Sequence, residues 1–198
     1  MNVIFLLLAA SFGIAEAAPQ NWGGKYHPCD RHHDLLNREH VDLGVRISTA
    51  NPALAREFEQ AMEFWSGVLD LEWHEEDSQN CSIQLVDGAP ELFDSAGSCA
   101  CISARSQFPN LPAFQGWIAF NPGVKLTEHE MFLVSVHEIG HLLGLPHNPS
   151  GSSVMFFLGL DEAVSLDAAD LDALASRHKL RAGIFENGVS KAAPITVP

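Results

Sequence analysis

Hydrophobic positions along the chain change their period several times, and each change marks an element. Val41, Leu43, Val45 and Ile47 alternate with polar or small residues, so Val41 to Ser48 reads as a half-buried strand. Asn51-Pro52 follows as a helix cap with proline in the first helical position. Leu54, Phe58, Ala61, Met62, Trp65 and Leu69 then recur at three- and four-residue spacing, which gives a helix with one apolar face. Leu69 to Trp73 and Ser82 to Val86 are two further short strands, separated by the polar run His74 to Asn80. Between Asp87 and Pro112, Gly, Pro, Ser and two cysteines break every period, and the stretch reads as loop. Gly116 to Phe120 is apolar and ends at the turn residues Asn121-Pro122-Gly123, as a strand would.

The next helix is marked by its start. Thr127 and Glu130 form a T-x-x-E capping box, and Leu126 and Met131 are spaced for a hydrophobic staple. Val134 and Leu142 belong to its buried faces. Asp167, with Asp170 three residues on, caps a last helix whose inner face carries Leu171, Leu174 and His178. His178 reads there as a packed or surface histidine rather than a metal ligand. From Gly183 onward, small residues and two prolines suggest a flexible tail over 183–198. Strands and helices in this order give an α+β domain over 41–182.

Composition places that domain. Met1 to Ala17 reads as a signal peptide: Val3 to Ala10 is apolar, and Ala15-Glu16-Ala17 offers a cleavage site. The apolar run is too short to span a bilayer. Residues 18–40 are rich in Gly, His and charge and read as an irregular segment. His27, Cys29, His32 and His33 within it read as a surface cluster and half of a disulfide rather than a second metal site. The net charge of −14 argues against nucleic acid or an anionic membrane as partner. Four cysteines, Cys29, Cys81, Cys99 and Cys101, fit two disulfides and an oxidising compartment. Cys99 and Cys101 are too close to pair with each other, so each reaches Cys29 or Cys81, in either combination. The expectation is a secreted, extracellular monomer. The acidic run Glu75, Glu76 and Asp77 reads as a solvated turn and gives a structural calcium ion no support.

The chemistry is concentrated in His137-Glu138-Ile139-Gly140-His141-Leu142-Leu143-Gly144-Leu145-Pro146-His147. Four residues is about one helical turn, so His137 and His141 leave one face of a helix together. Gly144 stands where a helix can end on a left-handed residue, turning the chain so that His147 becomes a third ligand. Three protein ligands and an open fourth position describe a catalytic zinc, whereas structural zinc sites are closed by four. Glu138 is then the general base. Water on such an ion has its pKa lowered to about 7, and a neighbouring carboxylate can take its proton and pass it to a leaving amine. A buried helix with incidental histidines is the bland alternative, and the length of the pattern argues against it.

This pattern, followed by Met155, resembles the metzincin clan of zinc endopeptidases. The segments Phe58 to Trp65 and Leu166 to Leu174 are most similar to its matrixins. The resemblance implies a twisted, mostly parallel five-stranded sheet with an edge strand, two long helices, and a small C-terminal subdomain. The upper part would be 41–143 and the lower part 144–182. Ser153-Val154-Met155 would be the Met-turn, an apolar floor beneath one catalytic zinc ion. Gly116 to Phe120 would be the sheet edge lying antiparallel to substrate, making Trp117, Ile118 and Ala119 substrate-binding. Phe156 and Phe157 would line the pocket for the residue after the scissile bond. The implied function is a secreted zinc endopeptidase acting on proteins or peptides. The alternative is a secreted binding protein that keeps the fold without proteolysis.

Some residues depart from the matrixin pattern. Asn148 follows the third histidine, where different metzincin families carry other residues. No histidine lies between Glu75 and Leu126, so the second, structural zinc of matrixins is not expected. Phe156-Phe157 follows Met155 in place of a proline-containing turn. A Cys29 thiolate blocking the metal would be matrixin-like autoinhibition, but the surrounding matrixin motif is absent and the even cysteine count favours a bridge.

Overall fold

The structure, a computed structural model, describes residues 41–76, 82–93, 104–107, 116–156, 165–176, 178–186 and 189–190. The expected signal peptide, the segment 18–40, all four cysteines and Phe157 lie outside the described residues.

Five strands, β1 (Val41–Ser48), β2 (Leu71–Glu75), β3 (Ser82–Asp87), β4 (Ala104–Gln107) and β5 (Gly116–Phe120), form one sheet in the order β2-β1-β3-β5-β4. β1 pairs in parallel with both β2 and β3, and β3 pairs in parallel with β5. Only β4 runs against its neighbour, with Arg105 opposite Ala119 and Gln107 opposite Trp117. The alternation that marked β1 is used as expected: Leu43 and Val45 are buried in the core.

Two long helices pack against each other and against this sheet. Helix α1 (Pro52–Val68) lies against β2, and helix α2 (Glu128–Leu142) against β4 and β5. Their starts are written locally. Asn51 Oδ1 accepts from the backbone N–H of Ala53 and Leu54. Thr127 Oγ1 accepts from Glu130 N–H at 3.2 Å while Glu130 Oε2 accepts from Thr127 N–H at 2.7 Å. These bonds satisfy amides that the helix geometry leaves without partners. Trp65 is completely buried between the helices, and its indole Nε1–H donates to Val136 O at 3.2 Å. A third helix, α3 (Ala168–Ala175), is capped reciprocally by Asp167 and Asp170. The chain beyond it returns to α1: Arg181 Nε–H donates to Leu69 O at 2.8 Å, and Leu180 bridges Leu69. Among the described residues the architecture is α+β, with a largely parallel sheet and three α-helices.

The sheet corrects three expectations. Gly116–Phe120 is not the edge. Both of its sides are paired, to β3 and to β4, so Trp117, Ile118 and Ala119 cannot add a substrate strand, and Ile118 and Ala119 are buried. The outer strand on that side is β4, inside the stretch read as loop. Its sequence, Ala104-Arg105-Ser106-Gln107, has no apolar alternation and becomes a strand by pairing with β5. The strand expected at Leu69 to Trp73 begins instead at Leu71, because Leu69 caps α1 through its N–H to Trp65 O. Within the expected tail, β6 (Phe185–Glu186) and β7 (Val189–Ser190) pair as a small antiparallel ladder.

Candidate metal centre

Helix α2 presents His137 and His141 one turn apart, and its C-terminal cap fixes the path of the chain beyond them. Gly144 has φ 98°, in the left-handed region that glycine enters at least cost. Leu145 N–H donates to Gly140 O at 2.9 Å and Gly144 N–H to His141 O at 3.0 Å. This pair of reversed bonds is the Schellman closure of a helix, and it turns the chain back toward the helix axis. His147 comes off that turn. It stands with the helical pair: ring centroids are 4.6 Å apart for His137 and His141, 4.7 Å for His141 and His147, and 5.4 Å for His137 and His147. One nitrogen from each ring lies within 4.8 Å of the others.

Two of the rings are held from behind. His137 Nδ1 is 2.6 Å from Val154 O, and His141 Nδ1 is 2.8 Å from Leu145 O. A carbonyl can only accept, so each Nδ1 carries its hydrogen and each Nε2 keeps its lone pair. That tautomer is the one an imidazole needs to ligate through Nε2. Burial lowers the His137 pKa to about 4, with His147 acting in the same direction and the bond to Val154 O opposing it. Burial likewise lowers His141 to about 4, helped by His137 and opposed by the Glu138 carboxylate and Leu145 O. Both rings are therefore neutral near pH 7, without the protons that would compete with a metal ion. Zinc–imidazole bonds of about 2.1 Å put nitrogens of a tetrahedral site within the spread found here, so the donor set fits zinc by chemistry and by spacing.

Glu138 lies next to His137 on α2 and is 8% exposed, and its charge acts on His141. Met155 is fully buried beneath the helix, its sulfur packed where Gly140 leaves room. Phe156 is half-buried. Trp117 is partly exposed but belongs to the interior strand β5.

Behind the third imidazole is a network that the sequence shows only in part. Asn148 Nδ2–H donates to Asp170 Oδ1 at 2.9 Å, and Ser153 Oγ–H donates to Asp170 Oδ2 at 2.6 Å. Of the packed and surface placements open to His178, the structure has the packed one, and its Nε2–H donates to Leu143 O at 2.8 Å, closing an orphan carbonyl at the end of α2. Asp170 is legible as a capping partner, but nothing in its spacing from Asn148 points to their contact.

Comparison with known proteins gives the same picture. The matrixin family model matches residues 42–178. Macrophage metalloelastase of Rattus norvegicus is 28% identical over 126 residues, covering 58% of this chain and 27% of that protein. Matrix metalloproteinase-21 of Mus musculus is 29% identical over 142 residues, covering 65% of this chain and 24% of that protein. Interstitial collagenase of Sus scrofa is 26% identical over 176 residues, covering 80% of this chain and 35% of that protein. The chain thus spans between a quarter and about a third of the length of these relatives. The matched stretch contains the sheet, both long helices and the three converging imidazoles, and the chain belongs to the matrixin family.

Proposed function

We propose that this chain is a secreted zinc endopeptidase with residues 41–182 as its catalytic domain. The observation that carries the reading is the convergence of His137, His141 and His147, with two Nδ1 edges already tied to backbone carbonyls. A zinc ion held there supplies a Lewis acid for the scissile carbonyl and makes water acidic enough to lose a proton near neutral pH. The protein does the rest. Glu138, as general base, accepts a proton from the attacking water on a carboxylate oxygen and returns it to the departing amine. The peptide is presented by addition to β4, whose outer side has no strand partner among the described residues. An extended substrate can therefore be held by main-chain bonds at β4, in place of Trp117, Ile118 and Ala119.

In this reading Ser153-Val154-Met155 is the Met-turn and 144–182 the lower subdomain. Phe156 and Phe157 line the pocket after the scissile bond, with a preference for hydrophobic side chains. Residues 1–17 act as a signal peptide, and Cys29, Cys81, Cys99 and Cys101 pair as two disulfides. No helix among the described residues is long and apolar enough to cross a membrane. Incubating the purified chain with a diverse peptide mixture, with and without a chelator, tests the proposal. Internal cleavages that vanish on chelation are expected. Zinc uptake with no cleavage at all would leave only a binding protein on a protease fold.

A further inference from the structure

His137 and His141 ride on a helix, but His147 sits on irregular backbone and is exposed. Its position depends on the backbone around it. The next residue, Asn148, is 8% exposed and is bonded through its backbone N–H and both polar atoms of its side chain. Its N–H donates to Met155 O at 2.9 Å, its Oδ1 accepts from Ser150 N–H at 2.9 Å, and its Nδ2–H donates to Asp170 Oδ1 at 2.9 Å. Asp170, 3% exposed in the first turn of α3, receives on its other oxygen the Ser153 hydroxyl at 2.6 Å and Asp167 N–H at 3.1 Å. The Ser153 oxygen in turn accepts from Met155 N–H at 2.9 Å. Val154, between those two residues, is the one whose carbonyl orients His137.

We infer that Asp170 is a positioning residue for the metal centre: through Asn148 it fixes the backbone that carries His147, and through Ser153 it fixes the carbonyl that orients His137. The inference rests on the proposed reading of these histidines as ligands. The chemistry of the contact requires a carboxylate. Three donors converge on two oxygens, and an amide at position 170 would turn an NH2 group toward at least one of them. Groups that orient ligands from behind typically alter metal affinity by about 10- to 100-fold when removed. Helix α3 therefore acts on the standing of two imidazoles through Asn148 and Ser153.

The test uses the full chain as wild type, Asn148→Ala, Asp170→Asn and, as a control, Leu174→Ala, a buried α3 residue outside the network. Zinc dissociation constants come from competition with a chromophoric chelator. Cobalt-loaded samples give the ligand-field absorption, and thermal melts of the metal-free proteins report folding. Asn148→Ala and Asp170→Asn should weaken zinc binding by about tenfold or more and shift the cobalt bands. Leu174→Ala should lower the melting temperature and leave both metal readouts at wild-type values. If Asp170→Asn does not fold, Asn148→Ala, which keeps the carboxylate and its bond to Ser153, decides alone. Wild-type zinc affinity and cobalt spectrum in the network variants, whatever their melting temperature, would overturn the inference. A wild-type chain that binds no zinc would instead overturn the metal-centre reading beneath it.

Discussion

Gly140 lies inside α2, where alanine is ordinarily worth about 1 kcal/mol more than glycine. Here packing reverses that preference. A Cβ at position 140 would stand 2.7 Å from Met155 Sδ, 3.3 Å from Met155 Cε and 3.2 Å from Trp65 Cζ2. The indole is fully buried and tied to Val136 O, so it cannot retreat, and the thioether is fully buried as well. Overpacking of this kind costs about 1–3 kcal/mol. Subtracting the helix gain of about 1 kcal/mol leaves Gly140→Ala destabilising by roughly 0–2 kcal/mol. The sharper readout is the background. Met155→Ala alone opens a cavity and costs about 2–5 kcal/mol. In that background the new methyl group has lost its closest collision and fills part of the void, so Gly140→Ala should become neutral or stabilising. Urea unfolding of the metal-free wild type, both single variants and the double variant gives the coupling, expected at about 1–3 kcal/mol. An equal cost of Gly140→Ala in both backgrounds would show that the collision with Met155 is not what keeps glycine there.

Two further outcomes concern the site. Metal-free stability should fall as pH drops from about 6.5 to about 4: the unfolded His137 takes up its proton near 6.5 and the folded one only near 4, so the unfolded state gains protons first. The contribution is fully present above that window and is worth on the order of 3 kcal/mol for this ring; unfolding curves flat between pH 7 and pH 4 would contradict it. At Gly144, φ 98° makes the choice of substituent diagnostic. Gly144→Val should lower the melting temperature and zinc affinity more than Gly144→Asn, since asparagine tolerates left-handed backbone and a β-branched residue does not; the reverse order in thermal melts would remove that backbone argument.

The parts of the fold that can be read from the sequence are those whose causes are local. Asn51, the Thr127–Glu130 box and the Asp167–Asp170 pair each satisfy helix amides within three residues, and the helices begin where these residues place them. The imidazole triad is legible for the same reason, because one helical turn and one glycine set its spacing. The features that stay hidden depend on distant partners. β4 is a strand only because β5 lies beside it, and no residue in Ala104–Gln107 records that neighbour. β5 is interior where the resemblance implies an edge, although its unbroken run Trp117-Ile118-Ala119-Phe120 carries a warning: continuous apolar residues suit a covered interior strand better than an edge. Asn187-Gly188, between β6 and β7, is the residue pair favoured in tight hairpins and is a signal against a structureless tail. The contact between Asn148 and Asp170 leaves no local trace, since one sits in a loop and the other is already accounted for as a cap.

The proposed chemistry requires a carboxylate beside three convergent imidazoles to move the proton in peptide hydrolysis. Zinc content and peptide turnover, measured on the same samples of wild type and Glu138→Ala, put that requirement to the test. The variant should keep its zinc and lose turnover by several orders of magnitude. Unchanged turnover in a zinc-loaded Glu138→Ala chain would take the proton-transfer role away from Glu138.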